Sequence, residues 1–477
     1  MTGWTAAVDV GTSAVKAILL DEQGCIRARG RSEVPSADGE QEPEDWWTAA
    51  VDALNQCGGN RKRVRLLGLT GQMQNLICMD SNGPLRPAIL YSDIRAVDQL
   101  AEAHRALGPQ WVRAAGNQQD ATSLPAKILW MREHERESLG RTNLILLSAS
   151  GYLGWRLTDN ACCDLTTAST TGLLEASRRR WWPTALEALA LHGVLPRLVD
   201  GQTVIGSTTA VSAREIGVPQ GIPVVVAPGD AGSTTVGIVG DEQHRGYVYL
   251  GSSGWLAVVT PEIPVPDAAH RLLLPAPDRQ LVIGAVVSAG AAADWSRRTY
   301  LPGMSVAEAD RLAADTGPSR LLALPSLQGE RFPVRDSLTR GAVVGMTDTT
   351  RPDQLYRAML EGVAYAFRQL LAAVPSSDEP IPVVGGGAGS LLWRRVLADV
   401  LGRPVFLAEN NDEVAAYGAA ISALRAVGEE TPAPLADRGA PEVLCPGPDS
   451  VEYAKLAPTH AALFAALSTT FSTMRNR

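Results

Sequence analysis

Long apolar runs and a cysteine framework are both missing from this sequence of 477 residues. No stretch reaches the roughly 18 apolar residues of a membrane-spanning helix, and the N-terminal residues MTGWTAAVDVG lead straight into a predicted strand rather than a signal peptide. The six cysteines are scattered, and the adjacent Cys162 and Cys163 lack CxxC spacing. We therefore expect a cytoplasmic protein in a reducing compartment, with no membrane span.

Positive charge is also in short supply. The net charge is −8, and only four of the 43 basic residues are lysines, namely Lys16, Lys62, Lys127 and Lys455. This balance argues against nucleic acid or an anionic membrane as the main partner. With 45% hydrophobic and 20% charged residues, the composition is that of an ordinary globular protein. The length predicts two domains of roughly 200–250 residues each.

Two common signatures of binding sites are absent as well. The sequence contains no G-K-[ST], which excludes a P-loop kinase. None of the six histidines falls within a motif, so the sequence indicates no metal site built from protein ligands alone.

Two glycine-containing turns open similar-sized halves of the chain. WTAAVDVGTSAVKAILLDEQG near the N-terminus predicts strand, tight turn and strand, and GYVYLGSSGWLAVVT at residues 246–260 repeats the pattern. Glycine lets a ligand approach the backbone, and neighbouring N–H and hydroxyl groups can surround an anion. Either turn alone could be a plain hairpin, but the pair favours a duplicated nucleotide-binding architecture.

A third glycine run occurs in IPVVGGGAGSLLWRRVLADVLGRPVFLAEN, residues 381–410. A strand leads into three glycines and a helix is predicted after Ser390, which suits a nucleotide that faces bare backbone. The segment also resembles a dinucleotide-binding βαβ unit with Glu409 near the position of the ribose-binding acid, which would predict an NAD-dependent oxidoreductase. Ser390 stands where G-x-G-x-x-G requires its last glycine, and this weighs against that alternative.

One carboxylate stands out in VVVAPGDAGSTTVGIVG, residues 224–240. A buried-looking strand leads to Asp230, and small residues follow it. An aspartate next to glycine can be a turn residue bonded to local backbone, or it can act as a general base. The residues alone leave both interpretations open, as they do for Asp9 in the first turn.

The chain resembles the FGGY family of carbohydrate kinases, and within that family it is most similar to the xylulokinases. The resemblance runs from DVGTSAVKAILLD at residues 9–21 to DEVAAYGAAISAL at residues 412–424. SLPAKILWMREHE at 123–135 fits the first family signature, and GAVVGMTDTTRPDQLYRAMLE at 341–361 fits the second. Further matching segments occur in the same order: GEQEPEDWW, GLTGQMQNL, SLQGERFPVRDSLTRG and GGGAGSLLWRRVLADVLGRPV.

The resemblance implies an α/β protein with the actin-like, ribonuclease H-like fold, in which two lobes hold ATP and sugar in the cleft between them. We expect residues 1–243 to form the sugar- and phosphate-binding lobe. Residues 244–477 would form the adenine-nucleotide lobe with a C-terminal helix. A homodimer is a further expectation from the family.

The implied activity is transfer of the γ-phosphoryl group of ATP to a sugar hydroxyl, with Mg²⁺ as cofactor. The first candidate reaction converts D-xylulose to D-xylulose 5-phosphate. Another ketose, a polyol or an aldonate such as gluconate remains an alternative substrate. A sugar sensor without catalytic activity is an alternative of a different class.

The family pattern also assigns roles to particular residues. Asp230 matches the catalytic base, and Asp9 matches the acid that orients magnesium or the phosphates. The residues assigned to ATP and its phosphates are Gly11, Thr12, Ser13, Lys16, Gly251, Ser252, Ser253, Gly385, Gly386, Gly387, Ala388 and Gly389. The residues assigned to the sugar, besides Asp230, are Trp46, Gln72, Met73, Gln74, Asp93 and Arg95.

Departures from the xylulokinase pattern cluster on the sugar side. Gln74 replaces a histidine, Ala231 follows the base where an asparagine is expected, and Ser150 with Gly151 replaces a Lys-Asp pair. Gln74 can hydrogen-bond a hydroxyl but cannot take up a proton at neutral pH. A site built for particular hydroxyls can reject the wrong isomer strongly, so these changes bear on the choice of sugar rather than on the reaction.

Overall fold

The structure is a computed structural model that describes residues 3–35, 38–261, 263–408, 413–439 and 442–474. Its strands are β1 (Trp4–Val10), β2 (Ala14–Leu20), β3 (Ile26–Glu33), β4 (Glu40–Gln41), β5 (Val64–Gly71), β6 (Ile77–Asp80), β7 (Gly83–Pro84), β8 (Ala88–Ile89), β9 (Leu144–Leu146), β10 (Cys162–Asp164), β11 (Leu174–Glu175), β12 (Arg180–Trp181), β13 (Arg197–Val199), β14 (Val204–Ser207), β15 (Pro223–Val226), β16 (Gly246–Leu250), β17 (Gly254–Thr260), β18 (His270–Leu273), β19 (Gln280–Val286), β20 (Leu322–Leu324), β21 (Ala342–Val344), β22 (Ile381–Val384), β23 (Val405–Leu407) and β24 (Val443–Leu444). Its helices are α1 (Pro43–Gln56), α2 (Leu100–Leu107), α3 (Trp111–Ala115), α4 (Leu124–His134), α5 (Arg136–Arg141), α6 (Ala149–Thr158), α7 (Leu165–Ala168), α8 (Pro183–Ala188), α9 (Ala210–Ile216), α10 (Asp230–Val239), α11 (Gly290–Tyr300), α12 (Val306–Ala314), α13 (Pro352–Ala373), α14 (Leu391–Leu401), α15 (Val414–Ala426) and α16 (Ser450–Met474).

The chain divides into two compact units, each assembled from separate segments. The first unit contains residues 1–240, 271–280 and 413–434, and the second contains residues 241–270, 281–412 and 435–477. Helix α15 therefore belongs to the first unit although it comes late in the sequence. The expected assignment of binding functions to residues 1–243 and 244–477 stays a prediction.

The first unit is built on a six-stranded sheet in the order β14–β15–β5–β1–β2–β3. Strand β1 pairs antiparallel with β2 and parallel with β5, and β5 pairs parallel with β15. Strands β1 and β5 are buried along almost their whole length, which explains why they are apolar runs rather than alternating patterns. Helices α1 and α6 and helix α15 pack against this sheet.

The second unit repeats this plan. Its sheet contains the neighbouring strands β19–β17–β16–β22–β23–β24. Strand β16 pairs antiparallel with β17 and parallel with β22, which in turn pairs parallel with β23. In both units, therefore, the first strand of an antiparallel hairpin also pairs in parallel with a later strand. This confirms the α/β fold and the duplicated architecture expected from the two similar turns.

The helix predicted after Ser390 is confirmed as α14. The segment SLPAKILWMREHERESLG forms two helices, α4 and α5, because the backbone of Glu135 leaves the helical region at φ −134° and ψ 48°. All six cysteines are free thiols, in accord with the expected absence of a disulfide framework. Within the described ranges, no helix combines the length and the apolar character that crossing a bilayer requires.

Helices α10 and α15 cross at very short range. A Cβ added to Gly418 would overlap the carbonyl group of Ser233, and one added to Gly237 would overlap the carbonyl of Val414. Only glycine lets two backbones approach this closely. The crossing therefore ties the helix that begins at Asp230 to a segment almost 200 residues later in the sequence.

The C-terminal helix α16 packs on α13 and α14 in the second unit. Tyr453, His460, Phe464 and Phe471 are its buried side chains. The His460 ring stacks on Tyr365 with centroids 4.7 Å apart, and its Nε2 lies 2.9 Å from the carbonyl oxygen of Ala323. Burial, opposed by this hydrogen bond, lowers the pKa of His460 to about 4. The imidazole is therefore neutral in the folded protein at neutral pH.

His460 should make the protein less stable as the pH falls. The unfolded chain binds a proton near pH 6.5 while the folded chain resists it, so stability is fully present above that pH and is lost towards pH 4. Between pH 7 and pH 5 this linkage amounts to roughly 2 kcal/mol. The substitution His460→Gln keeps a donor for the Ala323 carbonyl but removes the group that titrates. The drop in unfolding free energy between pH 7 and pH 5, measured by urea titration, should therefore be about 2 kcal/mol smaller in His460→Gln than in the unmodified protein.

The matched control is His192→Gln, since His192 is an exposed histidine. That change should leave the pH dependence as it is in the unmodified protein. Equal pH dependence in His460→Gln and the unmodified protein would contradict the linkage.

Candidate functional site

Three parallel strands of the first unit bring polar side chains to the same edge of the sheet. Asp9 lies near the carboxyl end of β1, and its register partner on β5 is Thr70. Asp230 follows β15, the next parallel strand, and begins α10. Ligands of open α/β sheets bind at the carboxyl ends of the strands, so the fold places both predicted carboxylates where a ligand is expected.

The two carboxylates influence one another electrostatically. Burial raises the pKa of Asp230 to about 7, with a further contribution from the charge of Asp9 and a smaller one from Asp164, against the hydrogen bond from Ala231 N–H. Burial also raises the pKa of Asp9 to about 6, although the positive charge of Lys16 opposes the shift. Among the described residues, Asp9 Oδ1 is a buried oxygen with no hydrogen-bond partner. Strongly shifted carboxylates of this kind are characteristic of functional sites.

Packing explains part of the run of small residues around Asp230. A Cβ at Gly229 would overlap the Met73 side chain and lie 2.9 Å from Thr167 Oγ1. One at Gly232 would lie 2.7 Å from Pro228 Cβ and 3.1 Å from Thr166 Cγ2. The sequence run thus reflects close neighbours on both sides of the turn, in addition to any room left for a ligand.

The first predicted phosphate turn, Gly11, Thr12 and Ser13, connects β1 to β2 and is partly exposed. Lys16 is the cross-strand register partner of Asp9, so its ammonium group acts on that carboxylate. The side chain of Gln41 donates to the carbonyl oxygen of Thr12 over 2.7 Å. The buried side-chain amide of Gln41 therefore holds the backbone of this turn in place.

Gln41 also links two residues predicted to bind the sugar. Its Oε1 accepts hydrogen bonds from Trp46 Nε1 at 2.9 Å and from Gln72 Nε2 at 2.8 Å. Trp46 is wholly buried and contacts Tyr152 edge to face. Gln72 Oε1 is a buried acceptor with no partner among the described residues. Trp46 Nε1 already has a hydrogen-bond partner, whereas Gln72 Oε1 could still accept a hydrogen bond from a ligand.

Gln74, Asp93 and Arg95, which are also predicted to bind the sugar, are held by separate sets of polar contacts. Gln74 has a left-handed backbone, φ 59°, and donates to the Thr122 carbonyl oxygen over 3.0 Å. Asp93 accepts three hydrogen bonds from Arg95, which also forms an ion pair with Glu40 at 2.6 Å. The buried ammonium group of Lys127 donates to the Leu90 carbonyl oxygen over 2.6 Å.

The second predicted phosphate turn lies in the other unit. Gly251, Ser252 and Ser253 connect β16 to β17. The carbonyl oxygen of Ser252 accepts from the N–H groups of Ala289 and Ala291, at 2.9 and 3.0 Å, at the start of α11. These bonds fix the turn against the helix, while the Ser252 side chain stays exposed.

The glycine loop 385–389 borders a cavity of about 700 Å³ within the second unit. Gly290, Asp310, Tyr356, Gly387, Trp393 and Arg395 are among its lining residues. Gly385 has φ 90°, and a Cβ there would lie 2.5 Å from the Leu250 carbonyl oxygen. A volume of this size and a glycine wall suit a nucleotide base and ribose. Glu409, the acid considered for a dinucleotide site, lies outside the described residues.

Neither Gln41 nor Asp164 was predicted from the sequence. Gln41 occurs in the quoted segment GEQEPEDWW, but nothing in the sequence shows which backbone group its amide meets. Asp164 ends a short apolar strand directly before α7, and its side chain caps that helix. Aspartate immediately before a helix is an N-cap signal, and that signal could have found it.

Comparison with known proteins adds evidence of a separate kind. Residues 4–237 match the N-terminal domain of the FGGY family of carbohydrate kinases, and residues 246–427 match its C-terminal domain. Xylulose kinase from Escherichia coli K12 is 31% identical over 430 residues, covering 87% of this chain and 88% of that protein. Xylulose kinase from Klebsiella pneumoniae is 31% identical over 468 residues, covering 94% and 96%. The crystal structure of a xylulose kinase from Brucella ovis aligns with a TM-score of 0.89 at 27% identity, covering 98% of this chain and 100% of the other.

Adding a methyl group to the glycine loop should impair nucleotide binding. A Cβ at Gly387 would lie 2.9 Å from both Leu250 Cβ and Trp393 Cζ3, so Gly387→Ala forces the cavity wall to shift at a cost of roughly 1–3 kcal/mol. We expect the Kd for Mg-ATP, measured by calorimetry, to rise about tenfold. Gly59→Ala is the control because a Cβ there meets no atom within 4 Å. Equal affinities in the two variants would contradict this prediction.

Proposed function

The chain belongs to the FGGY family of carbohydrate kinases, and we propose that it phosphorylates D-xylulose to D-xylulose 5-phosphate. As a member of that family it is a sugar phosphotransferase that uses ATP. D-Xylulose is the first candidate substrate because the curated relatives that cover most of the chain are xylulose kinases.

The observation that carries the proposal is the position and pKa of Asp230. A carboxylate whose pKa is about 7 is available as a base at neutral pH and can hold the proton that it takes. In the proposed reaction the sugar hydroxyl oxygen attacks the γ-phosphorus, its proton passes to Asp230, and the bond from phosphorus to the leaving ADP oxygen breaks. The helix N-terminus at Asp230 favours negative charge developing nearby.

Asp9 fits the expected magnesium ion. Its Oδ1 is a buried oxygen that no described residue satisfies, and carboxylate oxygens are ligands that Mg²⁺ accepts. No group of three or more His, Cys, Asp or Glu side chains in the described ranges could hold a metal, and Mg²⁺ typically uses one or two carboxylates together with substrate phosphates. We propose that Asp9 orients Mg-ATP; when bound, the ion offsets the negative charge of the phosphates.

The charge around the predicted sugar residues supports a neutral sugar over an aldonate. The guanidinium group of Arg95 is already paired with Asp93 and Glu40. The ammonium group of Lys127 is buried and directed to a backbone carbonyl. An aldonate carboxylate needs a cationic partner when it leaves water, whereas the unpartnered Oε1 of Gln72 suits a sugar hydroxyl.

Asp230→Asn tests the base directly. The amide keeps the shape of the side chain but cannot accept the hydroxyl proton, so we expect kcat to fall by about 10²–10⁴. Sugar and Mg-ATP should still bind, as measured by calorimetry. The readout is ADP release in a coupled assay with D-xylulose, other ketoses, a pentitol and gluconate.

Asp52→Asn is the matched control, because Asp52 is an exposed aspartate on α1. It should retain the unmodified turnover. Turnover with gluconate but not D-xylulose would overturn the proposed substrate. Sugar binding without turnover in the unmodified protein would favour the sensor, and full activity of Asp230→Asn would overturn the base.

A further inference from the structure

Asp164 is a buried carboxylate that binds two separate segments of the first unit. It ends β10 and is fully buried. Its Oδ1 accepts a hydrogen bond of 2.9 Å from the N–H of Thr167, which caps helix α7. The same oxygen accepts a bond of 3.0 Å from the N–H of Gly229, 65 residues later in the sequence. That second bond plays no part in capping α7.

Two other N-cap side chains of the first unit bond only within their own helix ends. Ser148 accepts from Gly151 N–H, and Thr209 accepts from Ser212 N–H. Each bond closes within its own first helical turn, as N-caps ordinarily do. The additional bond from Asp164 ends instead at the residue directly before Asp230.

We propose that Asp164 is a positioning residue for Asp230, and that its carboxylate fixes the Gly229 N–H and thereby the direction in which the Asp230 side chain leaves the end of β15. This inference rests on the proposed kinase function. Asp164 itself touches neither sugar nor phosphate in the proposed reaction.

The surroundings of Gly229 show what the bond to Asp164 adds to the turn. Side-chain atoms of Met73 and Thr167 Oγ1 both occupy the space that a Cβ at Gly229 would enter. The carbonyl oxygen of the preceding Pro228 accepts from Thr70 Oγ1 at 2.8 Å and from Ser233 Oγ at 2.5 Å. The Gly229 N–H belongs to the same planar peptide group as that carbonyl, so the bond to Asp164 holds the peptide at its N–H edge while Thr70 and Ser233 hold it at its carbonyl edge.

Two substitutions at Asp164 separate its charge from its hydrogen bonds. Asp164→Asn keeps an Oδ1 that accepts from both N–H groups, and its amide nitrogen replaces Oδ2, which has no partner among the described residues. Asp164→Ala removes both acceptors. A misplacement of about 1 Å at a reacting group can cost about 10²-fold in rate. We therefore expect kcat to fall about 10²-fold in Asp164→Ala and less than about fivefold in Asp164→Asn.

The KM values should separate positioning from a general loss of structure. For both the sugar and Mg-ATP they should stay within about threefold of the unmodified values, because the loss falls on proton transfer to Asp230, a step that follows the binding of both substrates. Thr209→Ala is the matched control, since it removes an N-cap acceptor from α9 of the same unit. It should lower the melting temperature and leave kcat unchanged.

Three outcomes would overturn the proposal: a kcat for Asp164→Ala above about a third of the unmodified value, equal losses in the Asn and Ala variants, or an equal loss in Thr209→Ala. Hydrogen–deuterium exchange of residues 224–235 gives a readout that needs no turnover. Protection there should be lost in Asp164→Ala and kept in Asp164→Asn. If the unmodified protein phosphorylates no sugar, the kinase function fails, while the exchange result still decides whether Asp164 holds the turn.

Discussion

Two carboxylates of like charge, Asp9 and Asp230, are the constraint on which the site depends. Each loses water on folding, and the charge of Asp9 makes ionisation of Asp230 harder still. A protein retains such an arrangement when the electrostatic cost serves a purpose, because either group could be replaced by a neutral one of similar size. In the proposed reaction the same cost gives Asp230 the proton affinity that a base needs at neutral pH, and it favours a cation beside Asp9. Lys16, opposite Asp9, offsets part of the repulsion.

The sheet topology explains how this pair is brought together from opposite ends of a long segment. Parallel pairing of β1, β5 and β15 places the ends of three strands side by side, although Asp9 and Asp230 are more than 200 residues apart. The second unit uses the same plan for a different purpose. There the turn after β16 and the glycine loop after β22 offer backbone groups rather than carboxylates, and the glycine loop borders a cavity.

Much of the fold could be predicted because its signals are local. Apolar strands, glycine turns and the helix start after Ser390 each depend on a short stretch of sequence, and the repeated turn predicted the duplicated architecture. The candidate residues of the turns could be named for the same reason. What could not be predicted are contacts across the sequence: the bond from the Gln41 amide to the first turn and the bond from the Gly229 N–H to Asp164. Each depends on which backbone group a polar side chain meets after folding, and no local pattern encodes that.

The crossing of α10 and α15 has a consequence for how the chain is made. During synthesis the sheet residues Leu66 and Val225 emerge long before Ala423 and Leu424, the residues that cover them. Until α15 leaves the ribosome, the nascent first unit carries an unprotected apolar face beside the future site, and uncovered surfaces of this kind invite aggregation. The glycines at the crossing then let α15 pack in close contact with the backbone of α10. The first unit therefore cannot complete its folding in the order of synthesis, because the sheet that is made first is covered by a helix that is made near the end.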